Sequence, residues 1–357
     1  MQRVEALKEI AFEKAHFDGY LVFNQSNLTY FTGIQGISAL LIPKDGESRI
    51  YVYGINYEQT RVTAKGTSVD LVDRGEDFME KIARQTTQQG IKNLAIDAMG
   101  VEGWRSLSKY SRGKTKLKIK PGFVSQLRAA KNAEEISLMR RAGELTSLGM
   151  KTAQETLKSG LKEYEVAAEI EYAMRKNGSY GTAFETAVSS GPAAAFPHGG
   201  CTDRKIRQGD LVVVDIGAVF KNYRSDMTRT LVAGKPTEKQ LKIHNVVKTA
   251  HEEAFTVIRP RAKTRDVDAA ARRIIEKAGY GEFFVHGLGH GVGLDIHEPP
   301  TLNPTSKEKL QAGNVVTDEP GIYLVGYGGV RIEDTVLVTK DGAEKLTVGA
   351  NGLGGDI

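Results

Sequence analysis

Two runs of apolar, strand-like sequence carry acids at matching places, and no other feature of the chain limits its fold as much. The first reads Gly209-Asp-Leu-Val-Val-Val-Asp215-Ile-Gly217 and continues to Ser225-Asp226-Met-Thr228. The second reads Gly313-Asn-Val-Val-Thr-Asp-Glu319-Pro-Gly321 and continues to Ile332-Glu333-Asp-Thr335. Asp215 and Glu319 stand 104 residues apart, Asp226 and Glu333 stand 107 apart, and the second hairpin therefore has a loop three residues longer. Each run follows two helical segments, predicted from Asn132 to Ser159 and Lys162 to Lys176, then from Thr237 to Ile258 and Thr264 to Lys277. Asn132 with Glu135 forms a capping-box pattern, and Gly178 and Gly279 end the second helix of each pair. Self-similarity of this order predicts two halves related by a pseudo-twofold axis.

An ionised carboxylate beside Leu211 to Val214 is costly to bury unless something pairs with it, and a cation is the simplest partner. Taken singly, Asp226 or Glu333 reads as a strand-edge salt bridge. Four acids in duplicated positions are not explained that way. Between the hairpins lies Val285-His286-Gly-Leu-Gly-His290-Gly-Val-Gly-Leu-Asp-Ile-His297-Glu298, which holds three of the seven histidines. A lone histidine is often a packed core residue, but the glycines around His290 allow close backbone approach, and at least one of the three is expected to be a ligand. Carboxylates with an imidazole make an oxygen-rich, hard ligand set, unlike that of a closed structural zinc site. It suits two divalent ions, Mn2+ or Co2+ ahead of Zn2+ or Fe2+.

The first third of the chain has a different pattern. Strands are predicted at Gly19 to Phe23, Ala39 to Ile42, Arg49 to Tyr53 and Asn93 to Ile96, with helices near Met1 to His16 and Glu76 to Gln89. A small α/β domain over residues 1–125 and a second domain over 126–357 follow, with the boundary close to Ser125. Lysines 114, 116, 118 and 120 alternate with Thr115, Leu117 and Ile119, which predicts a strand with one wet, basic face. A net charge of +5 over 357 residues gives no reason to expect nucleic acid as a partner. No window approaches the roughly 20 apolar residues of a membrane span. Cys201 is the only cysteine and cannot form an intrachain disulfide, so a cytoplasmic location is expected.

The sequence resembles the prolidase and Xaa-Pro aminopeptidase branch of the pita-bread metallopeptidases over nearly its whole length. The residues that carry the resemblance are Asp215, Asp226, His290, Glu319 and Glu333, within Ser225-Asp-Met-Thr-Arg-Thr230, Glu319-Pro-Gly-Ile-Tyr323 and Gly329-Val-Arg-Ile-Glu-Asp-Thr335. Asn27-Leu-Thr-Tyr-Phe-Thr-Gly33 and Leu127-Arg-Ala-Ala-Lys131 resemble the family's N-terminal domain and its junction with the catalytic one. The fold implied is an α/β (α+β) chain, a creatinase-like N-terminal domain followed by a pseudo-twofold pita-bread domain. The resemblance implies that Asp226 and Glu333 bridge two ions, that Asp215 completes one, and that His290 with Glu319 completes the other. It implies Glu319 as proton shuttle, with His198 and His297 steadying the tetrahedral intermediate and the peptide-nitrogen side. His286 matches a third histidine of the aminopeptidase branch, and Arg331 is expected to orient ligand carboxylates.

The implied substrate is a peptide with proline in second position, and the implied assembly is a homodimer. Prolidases of this branch often carry an arginine, suited to a dipeptide's free carboxylate, where this chain has Thr301. The expectation is therefore an Xaa-Pro aminopeptidase, with an Xaa-Pro dipeptidase as the alternative. A non-enzymatic peptide-binding module on the same fold is a further alternative, set against it by the intact ligand positions. Ala193 to Ala195, before Phe196-Pro-His198, replace a polar residue found in many relatives. Asp318, before Glu319, stands where an apolar residue is usual, and strand alternation predicts that it faces away. A Cys201 nucleophile with His198 is a weaker reading, because no third member orients the pair.

Overall fold

Short apolar runs, several of them buried along nearly their whole length, set the strands in both parts of the chain. The structure, a computed structural model, describes residues 2–353. The chain divides into two units, residues 1–128 and 129–357. The first holds a six-stranded sheet in the order Ser68–Val72, Arg49–Tyr53, Ala39–Pro43, Gly19–Val22, Asn93–Ile96, Lys116–Ile119. The lysine-rich strand is thus an edge strand with Lys116 and Lys118 exposed, a charge pattern that discourages edge-to-edge pairing. The helix predicted near Met1 to His16 is Gln2–Lys8, continued by a π-helical stretch Glu9–Lys14; Met1 lies outside the described residues. The units divide three residues beyond Ser125, because the helix Gly122–Ala129 runs through that point. Its buried Arg128 donates to Asn27 Oδ1 of the first unit at 2.8 Å.

In the second unit the helices are Ala133–Thr156, Glu163–Lys176, Glu238–Val257 and Thr264–Lys277. Reciprocal capping boxes join Asn132 with Glu135 and Thr237 with Gln240, satisfying backbone donors that an N-terminus otherwise leaves unpaired. The first helix stops three residues short of Ser159, and the Gly160 amide bonds instead to the Ile206 carbonyl. The first half then builds an antiparallel sheet from Ala187–Ser190, Leu211–Ile216 and Met227–Val232, with Asp215 opposite Thr228. The second builds a five-stranded sheet in the order Glu298–Leu302, Gly289–Gly291, Val315–Asp318, Asp334–Val338, Ala343–Lys345.

The halves are stitched together at the predicted acids. The Glu333 amide donates to the Thr228 carbonyl at 3.0 Å, and the Asp226 amide to Thr335 Oγ1 at 2.9 Å. Thr228 and Thr335 are themselves 107 residues apart, so each central acid is held by the same threonine of the opposite half. Two apolar clusters lie between helices and sheets, and the one in the second half also takes in Leu211 and Val232 of the first. No helix among the described residues is long and apolar enough to cross a membrane.

Candidate active site

Strand alternation lets an acid sit in apolar sequence: Val214 and Ile216 turn to the helices, and Asp215 turns the other way. The hairpin that follows turns at Lys221 and Asn222, both at positive φ, and returns Asp226 to the same end of the sheet. His290 lies on the short strand Gly289–Gly291, where the register with Glu298–Leu302 shifts. A Cβ at Gly289 would meet the Thr317 carbonyl at 2.2 Å, and one at Gly291 the Glu298 carbonyl at 2.5 Å. Glycine on both sides is what lets this strand pass so close to its neighbours.

All nine residues singled out from the sequence line one cavity of about 600 Å³: Asp215, Asp226, Glu319 and Glu333, with His198, His286, His290, His297 and Arg331. Ligand atoms of Asp226, His290 and Glu333 lie within 4.8 Å of one another. His290 Nε2 is 3.3 Å from Glu319 Oε1 and 3.8 Å from Asp226 Oδ2. Its Nδ1 is 3.1 Å from the Gly291 carbonyl; a carbonyl only accepts, so Nδ1 carries the hydrogen and Nε2 is the atom turned toward the acids.

Burial, and then the charge of Asp215, push the Asp226 carboxyl well above its usual range; burial and Asp226 do the same to Glu333. Asp215 is raised by burial, against the pull of Arg331. Burial also acts to raise Glu319, but the hydrogen bond and charge of His290 outweigh it and take Glu319 down to about 2. For His290 burial acts downward and the Glu319 bond reverses it, to about 9. Buried acids crowded this closely repel, and a bound cation relieves that repulsion. Asp215 Oδ1 and Asp226 Oδ1 are buried without a hydrogen-bond partner among the described residues. Oxygen-rich donors, one imidazole and two such oxygens fit divalent metal ions.

Around the acids lies a supporting layer. Arg331 Nη2 donates to Asp215 Oδ2 at 2.7 Å, its Nε to Thr228 Oγ1 at 3.0 Å, and its Nη1 to Tyr323 Oη at 2.9 Å and the Pro197 carbonyl at 3.2 Å. Thr228 Oγ1 donates to Glu333 Oε2 at 2.6 Å, and Thr317 Oγ1 to Glu319 Oε1 at 3.0 Å. His286 gives its Nδ1 hydrogen to the Gly287 carbonyl and leaves Nε2, 2.9 Å away, to accept from Tyr323. Burial lowers its pKa, which keeps that acceptor available. His286 is thus tied to Arg331 through Tyr323, while the exposed His198 and His297 stand on the cavity wall. Burial and the charge of His290 lower His297; the two rings are 4.1 Å apart.

Sequence reasoning missed Tyr323, Thr228 and Thr317 as supports. Tyr323 and Thr228 lie inside segments already marked by the acids, but nothing in their spacing distinguishes support from core. Asp318 faces away from the cavity, fully buried, 3.9 Å from His251 Nε2. Cys201 is no nucleophile in this setting: its thiol donates to the Thr186 carbonyl, burial pushes it up to about 11, and it is not among the cavity residues.

Residues 137–340 match metallopeptidase family M24, and residues 3–130 match the creatinase/prolidase N-terminal domain. The chain belongs to metallopeptidase family M24. It is 38% identical over 352 residues to an Xaa-Pro dipeptidase of Pyrococcus furiosus, with 97% of each chain covered. Among solved structures, the Xaa-Pro dipeptidase from Bacillus anthracis aligns with a TM-score of 0.94 at 33% identity over 99% of both chains. The X-Pro aminopeptidase from Thermotoga maritima aligns at 0.86 and 32%, covering 95% of this chain and 98% of its own. This M24 chain is an enzyme, a metallo-exopeptidase whose family implies divalent metal ions. Its fold is the creatinase-like domain followed by the pseudo-twofold domain that the resemblance implied.

Proposed function

We propose that this chain hydrolyses the bond between a first residue and a proline in second position, using two divalent ions held by Asp215, Asp226, His290, Glu319 and Glu333. The observation that carries the reading is the convergence of these five residues on one cavity, with buried, unpartnered oxygens on Asp215 and Asp226. Bound ions of this kind polarise a scissile carbonyl and lower the pKa of water. Asp226 and Glu333, one from each half, would be the residues shared between the two ions. Glu319 keeps Oε1 on Thr317 and His290, and accepts and returns the proton at Oε2. His198 and His297 donate hydrogen bonds as charge develops on the carbonyl oxygen and the leaving nitrogen. Arg331 orients Asp215 and fixes Tyr323, and through it His286. The oxygen-rich donor set favours Mn2+ or Co2+.

Two readings of substrate length have support. The relatives named Xaa-Pro dipeptidase, alike across nearly the full chain, favour dipeptides, and this reading takes the lead from the aminopeptidase expectation. Longer peptides are favoured by a specific observation: Arg331 is the one guanidinium among the cavity residues and is committed to Asp215 and Tyr323, while Thr301 lines the wall. Comparing kcat/KM for an Xaa-Pro dipeptide and for the same sequence extended by two residues decides between them. Metal-verified chelation is expected to abolish both activities, and activity that survives it sinks the mechanism.

A further inference from the structure

The segment that carries His198 is closed at its base by one side chain. Glu163, the first residue of the helix Glu163–Lys176, is 0% exposed. Its Oε1 accepts from the Ser190 amide at 2.8 Å and the Ser190 hydroxyl at 2.6 Å; its Oε2 accepts from the Thr202 amide at 2.9 Å and the Thr202 hydroxyl at 2.6 Å. Ser190 and Thr202 are the two ends of the stretch that holds Phe196-Pro-His198. Four donors converge on one carboxylate, which acts as an acceptor-only clamp.

From this geometry we infer that Glu163 is a positioning residue for His198, acting through the loop rather than on substrate. The inference rests on the reading of His198 as a group that meets the intermediate. A histidine on a loop loses its advantage if the loop shifts by a fraction of an ångström, because its hydrogen bond must form where charge develops. Other ties also meet the segment: Arg204 Nη1 donates to Ser190 Oγ, the Cys201 thiol to the Thr186 carbonyl, Arg331 Nη1 to the Pro197 carbonyl at 3.2 Å and Ser189 Oγ to the Gly200 carbonyl at 3.1 Å, while the Glu163 carboxylate accepts from both ends at once. The second half fixes its histidine segment by a related device. Asp268 accepts from Arg272 and the Leu288 amide, and Arg272 donates to the Phe284 and His286 carbonyls.

The test is a double-mutant cycle on the metal-loaded full chain. In Glu163→Gln an NH2 group faces a backbone amide that can only donate, while the neighbouring hydroxyl can turn to accept, so one loop end loses its amide bond. We expect kcat to fall about 10- to 100-fold with KM changed less than about threefold, since the lost interaction belongs to the transition state. Metal content is expected to stay at the native value. In a His198→Ala background the same change should cost less than about threefold, because there is no histidine left to misplace. Thr202→Val, which removes one hydroxyl donor and keeps the amide, should give a smaller loss with the same background dependence. It carries the test if Glu163→Gln does not fold. A kcat loss of equal size in both backgrounds overturns the inference and leaves Glu163 a general structural residue; so does native kcat in Glu163→Gln. Native kcat in His198→Ala overturns the reading of His198 itself, and the inference with it.

Discussion

Behind Asp215 and Asp226, the first half packs Val214, Ile216 and Met227 against Met150, Ile170 and Met174 of its helices. Behind Glu319 and Glu333, the second half sets Asp318 and Asp334 cross-strand from each other and lays His251 against them. Asp318 and Asp334 stand 104 and 107 residues after Val214 and Met227. The duplication thus keeps the faces that reach the cavity and lets the hidden faces diverge. An apolar backing holds its cavity acids by packing, whereas an ionic backing holds them through partners that must all be present. Asp334 has those partners: Arg229 Nη2 and Lys345 Nζ at 2.8 Å, His251 Nε2 at 3.3 Å and Thr347 Oγ1 at 3.1 Å. Asp318 has His251 at 3.9 Å, and both its oxygens lack a hydrogen bond among the described residues.

The sharpest break of the likeness between halves comes at the cavity face. Glu319 and Asp215 are counterparts among the proposed ligands, but only Glu319 is assigned the proton. Glu319→Gln is therefore expected to lower kcat by about 10²- to 10⁴-fold beyond whatever Asp215→Asn costs at equal metal occupancy. Single-turnover rates with metal content measured in parallel check this. Equal losses would make the two positions equivalent ligands and send the proton elsewhere.

Next in size is the difference between the two backings. Removing one partner of a buried ion pair strands the rest, so Asp334→Asn should destabilise by about 3–5 kcal/mol. Met227→Leu, a change of shape at nearly constant volume, should cost less than about 1.5 kcal/mol. Denaturant midpoints on the same preparation measure both. An Asp334→Asn loss as small as that of Met227→Leu would mean that the second half is also held by packing alone.

The cavity face was legible in the sequence because each acid there contradicts its surroundings. Asp215 among valines and Glu319 after Val315 and Val316 are costly to bury without a partner, and their repetition at matched spacing marks them as a set. The helices and their caps were legible for a similar reason, since Asn132 with Glu135 leaves a local signature that no tertiary contact has to supply. The hidden face was not legible. Asp334 and His251 carry no local pattern, and their pairing depends on how the helix Glu238–Val257 lies against a sheet strand more than 80 residues later. In the sequence Glu163 is one of two acids in the first turn of its helix, a place the helix dipole favours in any case. Its role depends on where Ser190 and Thr202 come to rest. The boundary expected close to Ser125 falls inside the helix Gly122–Ala129, and the chain divides three residues later, after Arg128.

The smallest and most diagnostic effect is expected at Asp318. Burial raises its pKa to about 7, with His251 and Lys345 pulling the other way without offsetting it. An unfolded carboxyl has the ordinary value of 3.8. Between 3.8 and about 7 the folded chain holds a proton that the unfolded chain has already released. Unfolding then sheds a proton, so stability is highest below this window and falls as pH rises through it, by at most on the order of 4 kcal/mol. Asparagine has the same shape and no such titration. Asp318→Asn should match the native chain near pH 4 and become the more stable of the two at pH 8, with the gap opening between, as read from unfolding midpoints at each pH. If the native chain has no such slope relative to Asp318→Asn, Asp318 is ionised in the fold and held by His251. The second half would then rest on two buried ion pairs instead of one pair and a neutral acid, and its contrast with the apolar first half would be greater than the distances imply.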